Sequence, residues 1–341
     1  MLTSRRFRWW AIFAWVVILG LLFLALRQIP LAQIWDLLSQ VKVEWILGLM
    51  AVNAGIILLM ALRWGMILKA MGSPVSLRSL VAYRLAGFGI SYFTPGPQFG
   101  GEPLQVHLLH DKQFVPLATA VSSVFLDRLV DLLANFTFLV LGAFTILLSG
   151  VAGSELGNGA WIPIVGLFLF PLCHLLALGM GKLPVSSLLK ILERRLRGPR
   201  NLRLVQLICQ AEDQISGFMR HKPWTFFWVI GLAGFTWLVI LFEFWLSLRI
   251  LGVSPNLAQS VSSLTAARLA FLLPLPAGLG ALEASQSLAT RLLGWGPAVG
   301  IALSLLIRAR DVSLAALGLW LGGYAYRSTL FGRLPSDEGS E

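Results

Sequence analysis

The chain has 341 residues, 57% of them hydrophobic and only 13% charged, with a mean hydropathy of +0.78. That balance excludes an ordinary soluble domain and predicts an integral membrane protein. The formal charge of +11 would suggest nucleic acid in a soluble protein, but the basic residues collect in connecting segments where topology alone places them, so no nucleic-acid partner is expected.

The first apolar run covers residues 9 to 26. It reads as an uncleaved span, because about 20 residues of helix cross the hydrocarbon and no small-residue cleavage site follows. Further runs cover 45 to 62, 132 to 148, 161 to 180 and 224 to 247, and a last span covers about 296 to 322. Residues 1 to 8, the segment 63 to 79 with Arg63, Lys69 and Arg78, and the basic loop 182 to 222 carry the positive charge and are expected on the cytoplasmic side. Both termini are then cytoplasmic and the protein is expected in the cell (plasma) membrane. Within 182 to 222, the spacing of Leu204, Ile208, Ala211, Ile215 and Phe218 predicts a helix lying in the plane of an anionic lipid surface, or else a solvated basic connector.

Two stretches interrupt this pattern. YFTPGPQFGGEPLQ, residues 92 to 105, and LPLPAG, residues 273 to 278, put prolines and glycines where membrane helix is expected. The flanking arms are too short to span, and parity of crossings lets each pair cross zero or two times. Two re-entrant helical hairpins follow, entering from opposite faces. Non-helical backbone at membrane depth survives only where protein or a water-filled cavity satisfies its amides.

The hairpins resemble each other. Ala82-Tyr83-Arg84-Leu85-Ala86 is echoed by Ala266-Ala267-Arg268-Leu269-Ala270; each leads to paired prolines, then glycines, then Glu102 or Glu283. A count of 25 residues from each glutamate reaches Asp127 and Arg308. The fold class is therefore all-α, a polytopic membrane protein with about six full spans plus two re-entrant hairpins in an inverted-topology repeat. Repeat A covers about 45–148 and repeat B about 224–322, in a single membrane domain over 1–341 with no soluble catalytic domain expected. Inverted repeats with interrupted helices point to a transport site at their interface. Half-helix N-termini and arginines there suit a phosphate.

Predicted membrane segments hold five arginines (Arg84, Arg128, Arg268, Arg308, Arg310) and six acids (Glu102, Asp127, Asp131, Glu243, Glu283, Asp311), so the signs nearly cancel. At about 3 kcal/mol per charge at the bilayer centre, pairing is expected, and each residue reads either as a structural ion pair or as part of a site. Arg128 is within reach of Asp131 on one helix face, and this triad with Asp127 is expected near the cytoplasmic interface. Glu243 is expected close to the outer end of its span. There is no HExxH, P-loop or GxSxG, and Cys173 and Cys209 make no motif. No metal, cofactor or catalytic residue is expected, nor an enzyme.

At GGEPLQVHLL with SSVFLDRLVDLL, and again at LPLPAGLGALEA with LLIRARD, the chain resembles the flippase-like family related to the transmembrane region of lysylphosphatidylglycerol synthases. The family's motifs fall on Gly101-Glu102, Asp127-Arg128, and Pro276 to Gly280 before Glu283. Pro103 departs from the pattern and predicts a shortened returning arm. The resemblance implies an ATP-independent lipid flippase moving an anionic or glycosylated headgroup, such as a phospholipid or polyprenyl-phosphate type, without aminoacyl transfer. The expected substrate-binding set is Arg84, Gly101, Glu102, Asp127, Arg128, Asp131, Arg268, Gly280, Glu283, Arg308 and Asp311. Two alternatives stand beside it: an ion-coupled secondary transporter of a small polar solute, and a non-catalytic partner of a lipid-modifying membrane enzyme.

Overall fold

The computed structural model describes residues 31–94, 100–148, 161–193, 199–273 and 275–331. The predicted span over 9 to 26, the tip residues 95 to 99, Pro274 and the 149 to 160 connection lie outside the described residues. Among those described, regular structure is helical throughout: α1 (Leu31–Ser39), α2 (Val43–Ala70), α3 (Leu77–Phe93), α4 (Glu102–Gln113), α5 (Leu117–Leu148), α6 (Trp161–Gly179), α7 (Pro184–Glu193), α8 (Pro199–His221), α9 (Pro223–Ile250), α10 (Leu257–Ala270), a 3-10 turn at Pro276–Gly278, α11 (Ala281–Leu292) and α12 (Pro297–Phe331). Helices α2, α5 and α9, of 28, 32 and 28 residues, are long and apolar enough to cross a membrane. Helix α12 is longer still at 35 residues, but carries Arg308, Arg310 and Asp311 in its middle.

Helices α2 to α5 and α9 to α12 correspond element by element. The N-caps of α3 and α10 are Ser76 and Asn256 (256 minus 76 is 180), and each side chain accepts from the amide three residues on, Ser79 or Gln259. This satisfies one of the four amides a helix start leaves open. Gly72 and Gly252 end the preceding helices at φ 84° and 80°. Helices α4 and α11 both have 12 residues. The caps therefore set a register in which Arg84 matches Leu264 and Arg268 matches Phe88. The echo between residues 82–86 and 266–270 is displaced by one helical turn. Pro103 does not shorten α4, because it occupies the first turn, where a missing amide N–H loses no helical bond.

Each interrupted pair closes on itself. Gly101 packs against the Gly87 carbonyl so closely that a methyl group would overlap it, and Gln113 donates to the Tyr83 hydroxyl at 3.0 Å. In the second pair Ser263 and Gln286 exchange two hydrogen bonds of 3.0 Å. The first arms then cross over: α3 packs chiefly on α12, and α10 packs on α5 as much as on α11. Lys222 at the start of α9 donates to Ala70 O at the end of α2, at 2.7 Å, so these neighbouring helices are antiparallel.

The 182 to 222 segment folds as α7 and α8. Glu212 caps α7 by accepting from the amides of Val185 (3.0 Å) and Ser186 (2.6 Å). Ala211, Ile215 and Phe218 are buried, and the last two join a core with Leu126, Leu129 and Leu175. The apolar face expected on a lipid surface is thus covered by protein; Ile208 alone of the described residues in that pattern is exposed, at 37%.

Candidate functional site

A cavity of about 240 Å³ opens among α2, α3, α4, α5, α9, α10 and α12. At roughly 30 Å³ of liquid per water, this holds on the order of eight waters or one small polar group. Four arginines and five carboxylates line it: Arg84, Arg128, Arg268 and Arg310 against Glu102, Asp127, Asp131, Glu243 and Asp311.

The charges fall into groups. Arg63 on α2 donates from Nε to Asp127 Oδ1 at 2.8 Å and pairs through Nη2 with Asp131 Oδ1 at 2.6 Å. Arg84 on α3 completes the square, bonding Asp127 Oδ2 and lying 3.7 Å from Asp131 Oδ2. The two aspartates lie one turn apart on α5, so one face of one helix presents both carboxylates to two guanidinium forks. A second group joins α9 to α12: Arg310 reaches Glu243 Oε1 at 2.9 Å and Asp311 Oδ1 at 2.8 Å. Asn53 of α2 donates to the same Glu243 oxygen at 3.4 Å.

The hairpin glutamates make a matching pair of contacts. Glu102 in the first turn of α4 accepts from the Gly100 amide at 2.8 Å and lies 3.3 Å from Arg128 Nε. Glu283 in the first turn of α11 accepts from the Gly280 amide at 2.9 Å and is clasped by Arg308. The equivalent of Arg308 is thus Arg128, one residue past the Asp127 that counting had reached. On a helix one residue is a rotation of about 100°, which decides whether a side chain meets the hairpin or the α2 face.

Arg268 differs from the other cavity arginines. Among the described residues it has no carboxylate at ion-pair distance, and its guanidinium lies 4.8 Å from the centroid of the Trp237 ring. The ring supplies part of the stabilisation a desolvated cation needs. The same side chain lines the cavity.

Eight of the eleven residues expected at a site line this cavity: Arg84, Gly101, Glu102, Asp127, Arg128, Asp131, Arg268 and Asp311. Gly280, Glu283 and Arg308 do not. They form a separate lock in which Arg308 also donates to Ala277 O and Gly278 O, both at 3.2 Å. Arg128 pairs with Glu102, and Asp127 is buried among the helices, 6% exposed. Sequence reading missed Arg63, assigned to a connecting segment although it lies within α2 and is 1% exposed, and it left out of the site Glu243, read as an interfacial or locally paired acid, which is paired with Arg310 and lines the cavity. The usable signal was the repeat. Positions 63 and 243 are equivalent in the register of the caps, and a charge at one predicts a function for the other.

The fold and the cavity define a helical membrane protein with a polar, ion-paired hollow among its spans. The chain belongs to the family described as the lysylphosphatidylglycerol synthase TM region, which it matches over residues 11–318. It is similar to the UPF0104 membrane protein MJ1595 of Methanocaldococcus jannaschii, at 22% identity over 86% of this chain and 88% of that one. It is also similar to a UPF0104 membrane protein of Methanothermobacter thermautotrophicus, at 24% identity over 86% and 89%. No solved structure matches the chain.

Proposed function

We propose that the protein is an ATP-independent lipid flippase that passes a phosphate-bearing headgroup, anionic or glycosylated, through the cavity while the acyl chains stay in the bilayer. The observation that carries this reading is Arg268, a guanidinium facing the cavity without a carboxylate at ion-pair distance among the described residues. A buried arginine fork matches a phosphate in two hydrogen bonds, each roughly twice as strong as a neutral one. The paired charges around it supply the polar wall that a headgroup needs in place of water.

In this reading α3–α4 and α10–α11 are re-entrant hairpins of an inverted-topology repeat, and the described helices join about six full spans. Support comes from the antiparallel α2 and α9, from the 180-residue correspondence of caps, and from the crossover packing of each hairpin on the other repeat. The positive-inside bias puts the α7–α8 side and both termini in the cytoplasm of a cell membrane. The chain acts here as a transporter, not an enzyme.

The test is leaflet exchange in proteoliposomes carrying a trace of acyl-chain-labelled phospholipid, read by chemical bleaching of the outer leaflet. Exchange should require the protein and fall at least about tenfold in Arg268→Ala, the value of one charge-assisted hydrogen bond. Equal exchange with and without protein rejects the function; unchanged exchange in both Arg268→Ala and Glu102→Gln rejects the site.

A further inference from the structure

The charges around the cavity balance in number but not in place. Arg63 and Arg84 match Asp127 and Asp131, and Arg128 matches Glu102. Arg310 has to serve both Glu243 and Asp311, while Arg268 has no described carboxylate at pairing distance. With Arg63 behind the lining counted, five arginines stand against five carboxylates, with one positive charge displaced toward Arg268 and one negative charge displaced toward the Glu243–Asp311 pair. The two ends line the same cavity.

An electroneutral hollow with separated poles discriminates by net charge. A purely anionic headgroup would satisfy Arg268 but leave the cavity with an excess negative charge in a low-dielectric setting, and unbalanced burial of charge costs several kcal/mol per ion. A headgroup that carries a phosphate and an ammonium together satisfies both ends and leaves the total at zero. Glu243 and Asp311 are acceptor-only groups with more lone pairs than the single Arg310 fork can fill, so an ammonium with several N–H donors has partners waiting.

Resting on the flippase reading above, we infer that the preferred substrate is zwitterionic: a phosphate diester joined to a primary ammonium, the phosphate on Arg268 and the ammonium between Glu243 and Asp311. This chemistry occurs in an ethanolamine phospholipid and in the soluble glycerophosphoethanolamine, and the experiment separates the two.

Purified protein is placed in phosphatidylcholine vesicles with a trace of acyl-chain-labelled phosphatidylethanolamine or phosphatidylglycerol, and exchange rates are compared. The ethanolamine lipid should exchange about tenfold faster, as expected for one additional charge-assisted contact. Asp311→Asn and Glu243→Gln should reduce that ratio toward one by slowing the ethanolamine lipid more than the glycerol lipid. A ratio at or below one in the native protein overturns the zwitterion assignment and leaves the flippase reading standing, as does a ratio that both variants retain in monodisperse, folded form. Exchange of neither lipid overturns the flippase reading itself. Entry of labelled glycerophosphoethanolamine into sealed vesicles without lipid exchange overturns the lipid as substrate and makes the protein a solute transporter.

Discussion

The two interrupted helix pairs are built from the same parts and end in different states. Each has a capped first arm, a glycine-containing turn, a glutamate in the first turn of a 12-residue second arm, and an arginine on the following long helix. In α10–α11 that arginine, Arg308, bonds Glu283 and two turn carbonyls, and the side chains are 14% and 5% exposed. In α3–α4 the matching pair, Arg128 and Glu102, touches at one 3.3 Å contact with 27% and 26% exposed, and it faces the cavity. One motif thus makes a lock in one repeat and a cavity wall in the other. Arg308 also finds carbonyls freed by the left-handed Ala277 (φ 52°), whereas Arg128 lines the cavity.

The sharpest way to break this comparison is to remove the two arginines in turn. Arg308→Ala leaves the buried Glu283 without its counter-charge and takes the Arg308 donors from two carbonyls, and should lose about 3–5 kcal/mol of stability, while Arg128→Ala, at a partly exposed pair, should lose about 1 kcal/mol or less. Thermal unfolding of the detergent-purified variants measures both, and equal losses would erase the distinction. Gly101→Ala comes next: its methyl group meets the Gly87 carbonyl, an overpacking that should cost about 1–3 kcal/mol. Gly280→Ala, at φ 78° and ψ −39°, forces an L side chain into a sparsely populated backbone region and should cost about 1 kcal/mol or more.

A double-mutant cycle sharpens the same contrast. Glu283→Gln with Arg308→Gln should show coupling toward the upper part of the roughly 0.5–3 kcal/mol range for contacting residues, and Glu102→Gln with Arg128→Gln toward the bottom. The smallest effect belongs to Pro103→Ala. Its first-turn position loses no hydrogen bond, so the melting midpoint should move by no more than about 0.5 kcal/mol equivalent.

Much of the architecture was legible in the residues, because it depends on composition and on local backbone rules. Apolar runs mark α6 and α9 within about three residues of their observed limits, and α2 and α5 at one end each; the charged or polar turns at the other ends of α2 and α5 were read as outside the helix. The breakers at 95 to 101 and 274 to 280 place both interruptions, since proline and glycine act through their own backbone wherever they sit. The hairpin glutamates also follow locally: a carboxylate near a helix start gains from the open amides and the positive end of the dipole.

The charge partners were settled only by tertiary packing. Arg63, Glu243 and Arg310 meet carboxylates or guanidinium groups 64 to 68 positions away. A linear reading sees no reason to prefer them over Arg308 or Glu283, which carry the same charges in equally apolar surroundings. Which side of a helix faces the cavity is a matter of about 100° per residue. That angle acquires meaning only once the neighbouring helices are in place, and it put Asp127 on the Arg63 side and Arg128 on the hairpin side.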